Sequence, residues 1–115
     1  MLVYKILRDQ EWLALQRDGV TAGAPIDRTD GYVHLSTGAQ VVETAAKHFA
    51  GVDGLRLLAL EADALGDALR WEPSRGGALF PHLYRELRLG DVRWEQPLPL
   101  DGERHAFPEL EPDQR

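Results

Sequence analysis

Gly31-Tyr32-Val33-His34-Leu35-Ser36-Thr37 is the stretch on which the fold turns. Side chains on an extended chain alternate between faces, so Tyr32, His34 and Ser36 fall on one side and Val33 and Leu35 on the other. Residues 31–36 therefore read as a strand with one polar and one apolar face. Thr37 then opens a helix: Thr37 and Gln40 have the spacing of a capping box, in which each side chain satisfies the other's free backbone amide. Val41, Val42, Ala45, Ala46 and Phe49 recur as its apolar stripe, Glu43 and Lys47 pair one turn apart on the wet side, and Gly51 ends it.

Upstream, residues 2–7 are short, apolar and β-prone, and predict a first strand. Asp9 can cap a helix over 10–18 that Gly19 stops. Residues 20–30 combine Gly23, Pro25 and a polar cluster without periodicity, which predicts a long loop placed to cover a site. Downstream, residues 55–60 are a nearly continuous apolar run, the pattern of a well-buried strand. Residues 62–68 read as a turn or a single helical turn. A short strand over 69–72 ends at Pro73, and residues 74–77 make a polar loop. Two more strands follow, over 79–89 and 92–98, joined at Gly90-Asp91. Residues 109–115 carry little that can pack and read as a frayed tail, leaving 1–108 as the domain.

Strands outnumber helices and the helical signal lies in the first half. That predicts a single α+β domain, with a mostly antiparallel or mixed sheet and helices packed to one side of it. The chain has 115 residues, enough for one core, and no cysteine, which excludes disulfides and thiol chemistry. Net charge is −6 with the 13 Lys and Arg scattered, so no extended nucleic-acid surface is expected. No secretory pattern and no apolar run of membrane-spanning length is evident, so the expected location is the cytoplasm, away from membranes. Neither a glycine-rich dinucleotide fingerprint nor a P-loop is present.

Three groups of residues can carry chemistry. His34 and Ser36 share a strand face about 7 Å apart, beside Tyr32 and next to a helix start at Thr37 that offers free backbone amides. This group can hold a hydroxyl-rich or phosphate-bearing ligand. For Thr37 alone, helix capping is the better account. Arg75, followed by Gly76 and Gly77, can grip a phosphate or carboxylate, or simply sit in a solvated turn. His82 and Tyr84 share a face near Pro81 and suit acid–base work or ring stacking, or a hydrogen bond that pins the sheet. Glu72, Glu86 and Glu95 are each singly placed. His48 reads as packing or partly exposed, and His105 as a surface or lid residue. A metal held by His34, His82 and a third histidine would match no standard ligand spacing.

The combination of residues 31–37, Glu43-Thr44-Ala45, His48-Phe49-Ala50-Gly51, Leu69-Arg70-Trp71-Glu72, Ser74-Arg75-Gly76-Gly77 and Phe80-Pro81-His82-Leu83-Tyr84 resembles the DUF952 family, small bacterial and eukaryotic proteins of undetermined function. The likeness spans about residues 3–108. It implies an ADP-ribosyltransferase-like fold, in which NAD lies in a cleft across a split sheet. By that analogy His34, His82 and Tyr84 would be catalytic, Tyr32, Ser36, Thr37 and Arg75 would bind the ligand, and NAD would be the substrate. The chain departs from that pattern at two points: the first strand offers Lys5 where a His or Arg is expected, and His82 stands where an acid is expected. Two readings follow, an NAD- or nucleotide-binding transferase, and a non-catalytic module for a small anionic or phosphorylated metabolite.

Overall fold

A computed structural model describes residues 1–111 of the chain. In order they form β1 (Leu2–Arg8), α1 (Asp9–Asp18), β2 (Val20–Thr21), α2 (Pro25–Asp30), β3 (Val33–His34), β4 (Ser36–Thr37), α3 (Gly38–His48), β5 (Leu55–Glu61) and α4 (Ala62–Leu65). Then come β6 (Leu69–Pro73), β7 (Leu79–Leu83), β8 (Leu87–Arg88), β9 (Val92–Leu98), β10 (Leu100–Asp101) and β11 (Arg104–His105).

The main sheet has the order β4-β1-β5-β9, with β1 and β5 paired along their whole length from Leu2↔Glu61 to Arg8↔Leu55. These two strands are buried on both faces, as their apolar runs require. On one face Val3, Leu7, Leu58 and Leu60 join Leu15, Val33, Leu35 and Leu83 in one core. On the other, Tyr4, Ile6, Leu57 and Ala59 pack against Val41 and Ala45 of α3 in a second. Each fully buried leucine stabilises by roughly 1.5–3 kcal/mol relative to exposure, so the double-sided sheet carries most of the fold's stability.

A second sheet, β3-β7-β6, lies beside the first, and the chain crosses between them within five residues. Val33 and His34 pair with Leu83 and His82 of β7, whereas Ser36 and Thr37 pair with Tyr4 and Val3 of β1. Leu35 is the joint: its backbone N–H still donates to Pro81 at 3.0 Å. The expected strand over 31–36 is thus two short strands in two sheets. The α+β class holds, with several sheets, and of the two expected sheet types the antiparallel one is found: among the described residues every strand pairing is antiparallel and none is mixed.

Several local expectations need correction. Residues 20–30 are not a bare loop, since Val20–Thr21 pairs with β8 and Pro25–Asp30 is helical. Proline at the first helical position, with the Asp27 carboxylate taking the Ala24 N–H at 2.8 Å, starts that helix; Gly31, with φ of +85°, stops it. Residues 79–89 do not form one strand. The chain turns after Leu83, where Arg85 holds Asp91 through two bonds of 2.8 and 3.0 Å, and Leu87–Arg88 pairs with β2 instead. Arg8, not Asp9, precedes α1, and Asp9 accepts a bond from Arg56. The stripe of α3 is narrower than expected, with Val42 exposed, and that helix ends at His48. Leu110 packs on the second core and the Glu111 N–H donates to the Tyr4 hydroxyl, so fraying from Glu109 does not hold for these two residues. Residues 112–115 of the expected tail lie outside the described residues. No helix among the described residues is long and apolar enough to cross a membrane.

Candidate functional site

Lys5 sits in the middle of β1 at 6% exposure, and a buried ammonium requires a partner. It finds Asp27 of α2, Nζ to Oδ2 at 2.7 Å, and also donates to the His34 carbonyl at 3.2 Å. Asp27 is 1% exposed and fully used. Oδ2 takes Lys5 and the Ala24 N–H, while Oδ1 takes the backbone N–H of His34 at 3.0 Å and faces its ring Nδ1 at 2.6 Å. Burial alone would raise the Asp27 pKa; the bond from His34 and the charge of Lys5 outweigh it and hold the carboxyl at about 2. Gly23, with φ of +97°, lies so close that any side chain there would collide with the Asp27 carboxylate. Asp30, one helical turn beyond Asp27, takes the other ring nitrogen of His34, Nε2 to Oδ2 at 3.0 Å. The imidazole is therefore held between two carboxylates.

His82 lies opposite His34 in the β3–β7 pairing and is 3% exposed. Its Nδ1 meets Glu72 Oε1 at 2.8 Å, and the Tyr84 hydroxyl donates to the same oxygen at 2.7 Å. Those two bonds, Tyr84 first, hold the Glu72 carboxyl below its ordinary range, and the bond to Glu72 holds the Tyr84 phenol above its own. Tyr32 stacks on the His82 ring, centroids 4.2 Å apart and planes 23° from parallel, and touches His34 and Tyr84 at 4.7 and 5.1 Å. Arg70 covers the outer face of this cluster, its guanidinium 4.7 Å from the Tyr84 ring centroid.

Both histidines line a cleft of about 740 Å³ between the two sheets, walled by α3 and by residues 24–27. The volume is that of a small-molecule site. At its polar end stand His34, His82, Lys5, Asp27, Ser36 and Thr44, the last two joined through their hydroxyls at 3.0 Å. Ile6, Val41, Phe49 and Phe80 make apolar walls, and Arg8 stands on the cleft lining with its guanidinium 5.3 Å from the Phe49 ring centroid.

Of the sequence-predicted residues, His34, Ser36 and His82 line this cleft together. Tyr32 and Tyr84 do not; they pack behind His82 and line a smaller hollow of about 320 Å³ on the other side of that cluster. Thr37 is fully buried and precedes α3, where its N–H donates to Gln40 Oε1 at 3.1 Å. It belongs to the helix start and not to the cleft. Arg75 falls in a turn after β6 whose neighbour Ser74 reaches the cleft, but the Arg75 side chain lies outside the described residues. His48 is exposed on the cleft lining, and the His105 ring bonds the Val52 carbonyl at 2.7 Å, so it pins a loop and is no lid. Among the described residues no cluster of three His, Asp or Glu side chains is arranged to hold a metal.

Lys5, Asp27, Asp30 and the partnership of Glu72 were not anticipated. One signal was visible: a lysine inside an apolar strand must meet a carboxylate.

The model of the DUF952 family, described as protein of unknown function, matches residues 6–95. The chain is similar to the crystal structure of protein CC0527 from Caulobacter crescentus, at 50% identity and TM-score 0.89, over 92% of this chain and 94% of that one. The solution structure of the same protein gives 51% identity and TM-score 0.81, over 90% of each chain. No curated protein matches.

Proposed function

This chain belongs to the DUF952 family, a family of unknown function, and we propose that its cleft binds a small molecule of the nucleoside or nucleotide class. The observation that carries this is the convergence of His34, Ser36 and His82, from three positions on two sheets, on one cleft of about 740 Å³. Sugar hydroxyls suit that polar end, which offers the His82 ring and the paired hydroxyls of Ser36 and Thr44. A base suits the apolar stretch between Phe49 and Phe80. Arg8 pairs only loosely with Glu11, at 3.6 Å, and can meet a phosphate. NAD is the member of the class suggested by the family's likeness to ADP-ribosyltransferase-like folds, and group transfer from it is the enzymatic form of this reading.

A specific observation favours a second form, binding without turnover. Both ring nitrogens of His34 and the Lys5 ammonium are already engaged within the protein, so these groups are committed to holding the cleft's shape.

A thermal-shift screen against NAD, ADP-ribose, adenosine and simple phosphorylated metabolites tests the proposal. A ligand bound only by the native state raises the melting temperature with its concentration relative to Kd. A saturable shift that is lost in Ser36→Ala or His82→Gln supports the cleft, and product formation from NAD then separates transferase from binding module. No shift with any of these probes overturns the nucleoside-class reading.

A further inference from the structure

His34 and His82 are alike in sequence context and unlike in what remains open. Each ring nitrogen of His34 faces a carboxylate, Asp27 on one side and Asp30 on the other. His82 uses Nδ1 toward Glu72, and its Nε2 has no hydrogen-bond partner among the described residues. Nor is Nε2 one of the sealed, unsatisfied atoms of the interior. His82 lines the cleft and Glu72 does not, so the ring stands between the carboxylate and the cleft.

We propose that His82 is the proton acceptor of the cleft, acting on a hydroxyl of the bound molecule, and that Glu72 and Tyr84 are the residues that position it. A carboxylate facing Nδ1 accepts its hydrogen, which leaves the lone pair on Nε2. A ligand O–H then donates to Nε2; as the O–H bond breaks, its electron pair stays on the ligand oxygen and the ring becomes an imidazolium. The new positive charge rests against the Glu72 carboxylate, the role that a carboxylate plays beside a catalytic imidazole. Tyr84 bonds the same Glu72 oxygen and fixes where the carboxylate points, and Tyr32, stacked on the ring, fixes its plane. The inference rests on the cleft being a ligand site, but its first test needs no ligand.

Long-range ¹H–¹⁵N spectra of the free protein report which nitrogen of each imidazole carries the proton. The His82 resonance is assigned by its loss in His82→Gln or, if that variant fails to fold, by elimination with His34→Gln, His48→Ala and His105→Ala, which account for the other three histidines. The expected result is the Nδ1–H form for His82, converting largely to the Nε2–H form in Glu72→Ala. Diethyl pyrocarbonate supplies the functional readout. The Nε2 lone pair attacks its carbonyl carbon, ethyl carbonate departs and breaks down to ethanol and carbon dioxide, and the ring's Nδ1 proton passes through Glu72 to water. Peptide mass spectrometry should show His82 modified in the wild type and several-fold more slowly in Glu72→Ala, with Glu72→Gln between them. His82 found as Nε2–H in the wild type, or a rate that Glu72→Ala leaves unchanged, overturns the proposal. These results are separable from the ligand screen. A reactive Nδ1–H His82 with no nucleoside-class binding sinks the proposed ligand alone, while tight binding beside an Nε2–H His82 sinks the proton acceptor alone.

Discussion

The two histidine centres of this protein sit on paired positions of adjacent strands, His34↔His82, and are built on opposite principles. Around His34 every charge is answered: Asp27 is buried and accepts on both oxygens, Lys5 is buried and paired, and Asp30 closes the outer nitrogen. Around His82 the partners lie toward solvent, with Glu72 half-buried and Tyr84 exposed. A buried ion pair is costly to break and seldom free to react, because removing one member strands the other. A carboxylate–imidazole pair with one nitrogen left open costs the fold little and keeps a reactive atom. The difference teaches that the first centre shapes the cleft and the second works in it.

The sharpest way to break that contrast is at Asp27. Asp27→Ala strands Lys5 and the Ala24 and His34 amides, and should cost about 3–5 kcal/mol, read as a lower urea midpoint. The equivalent change at Glu72 should barely move that midpoint. Equal losses at the two positions would contradict the division of roles.

Acid should show the same asymmetry with a smaller effect. The Asp27 carboxyl has its pKa lowered to about 2 in the folded protein, against 3.8 ordinarily. A depressed folded pKa stabilises fully above the unfolded value and loses that contribution as pH falls through the folded value. Asp27 alone should therefore contribute about 2 kcal/mol that disappears between about pH 4 and pH 2. In Asp27→Asn that part of the acid profile should flatten.

Gly23→Ala acts on the same centre from outside. The residue has φ of +97° and no room beside the Asp27 carboxylate, so the change should cost more than about 1 kcal/mol. Smallest of all is Tyr84→Phe, which removes one bond to Glu72 at the surface. It should leave the unfolding midpoint in place and slow only the His82 reaction with diethyl pyrocarbonate.

Much of the working side of the molecule was legible in the chain. Alternation over 31–36 and around 79–84 put Tyr32, His34, Ser36 and His82 on polar faces, and the apolar runs at 2–7 and 55–60 became the doubly buried β1 and β5. What stayed hidden is long-range. Lys5 signals a missing carboxylate, but only packing chooses Asp27, 22 positions away, over the other acids. The helix Pro25–Asp30 lacks an apolar stripe because its buried face is the Asp27 carboxylate, so a search for periodicity passes over it. Leu83 and Leu87 keep the spacing of a strand although the chain turns between them, since each is buried in the same core from a different strand. Glu72 shows no motif at all; antiparallel pairing of β6 with β7 is what brings it to His82.

The central claim is that the cleft between the two sheets holds a ligand at its histidine end. The most direct measurement is an amide ¹H–¹⁵N titration of the labelled protein with NAD and, separately, with adenosine. The account predicts saturable shifts concentrated at His34, Ser36, Thr44, Phe80 and His82. Shifts that never saturate, or that gather on the far side at Tyr84 and Glu86 and spare the cleft, would contradict it.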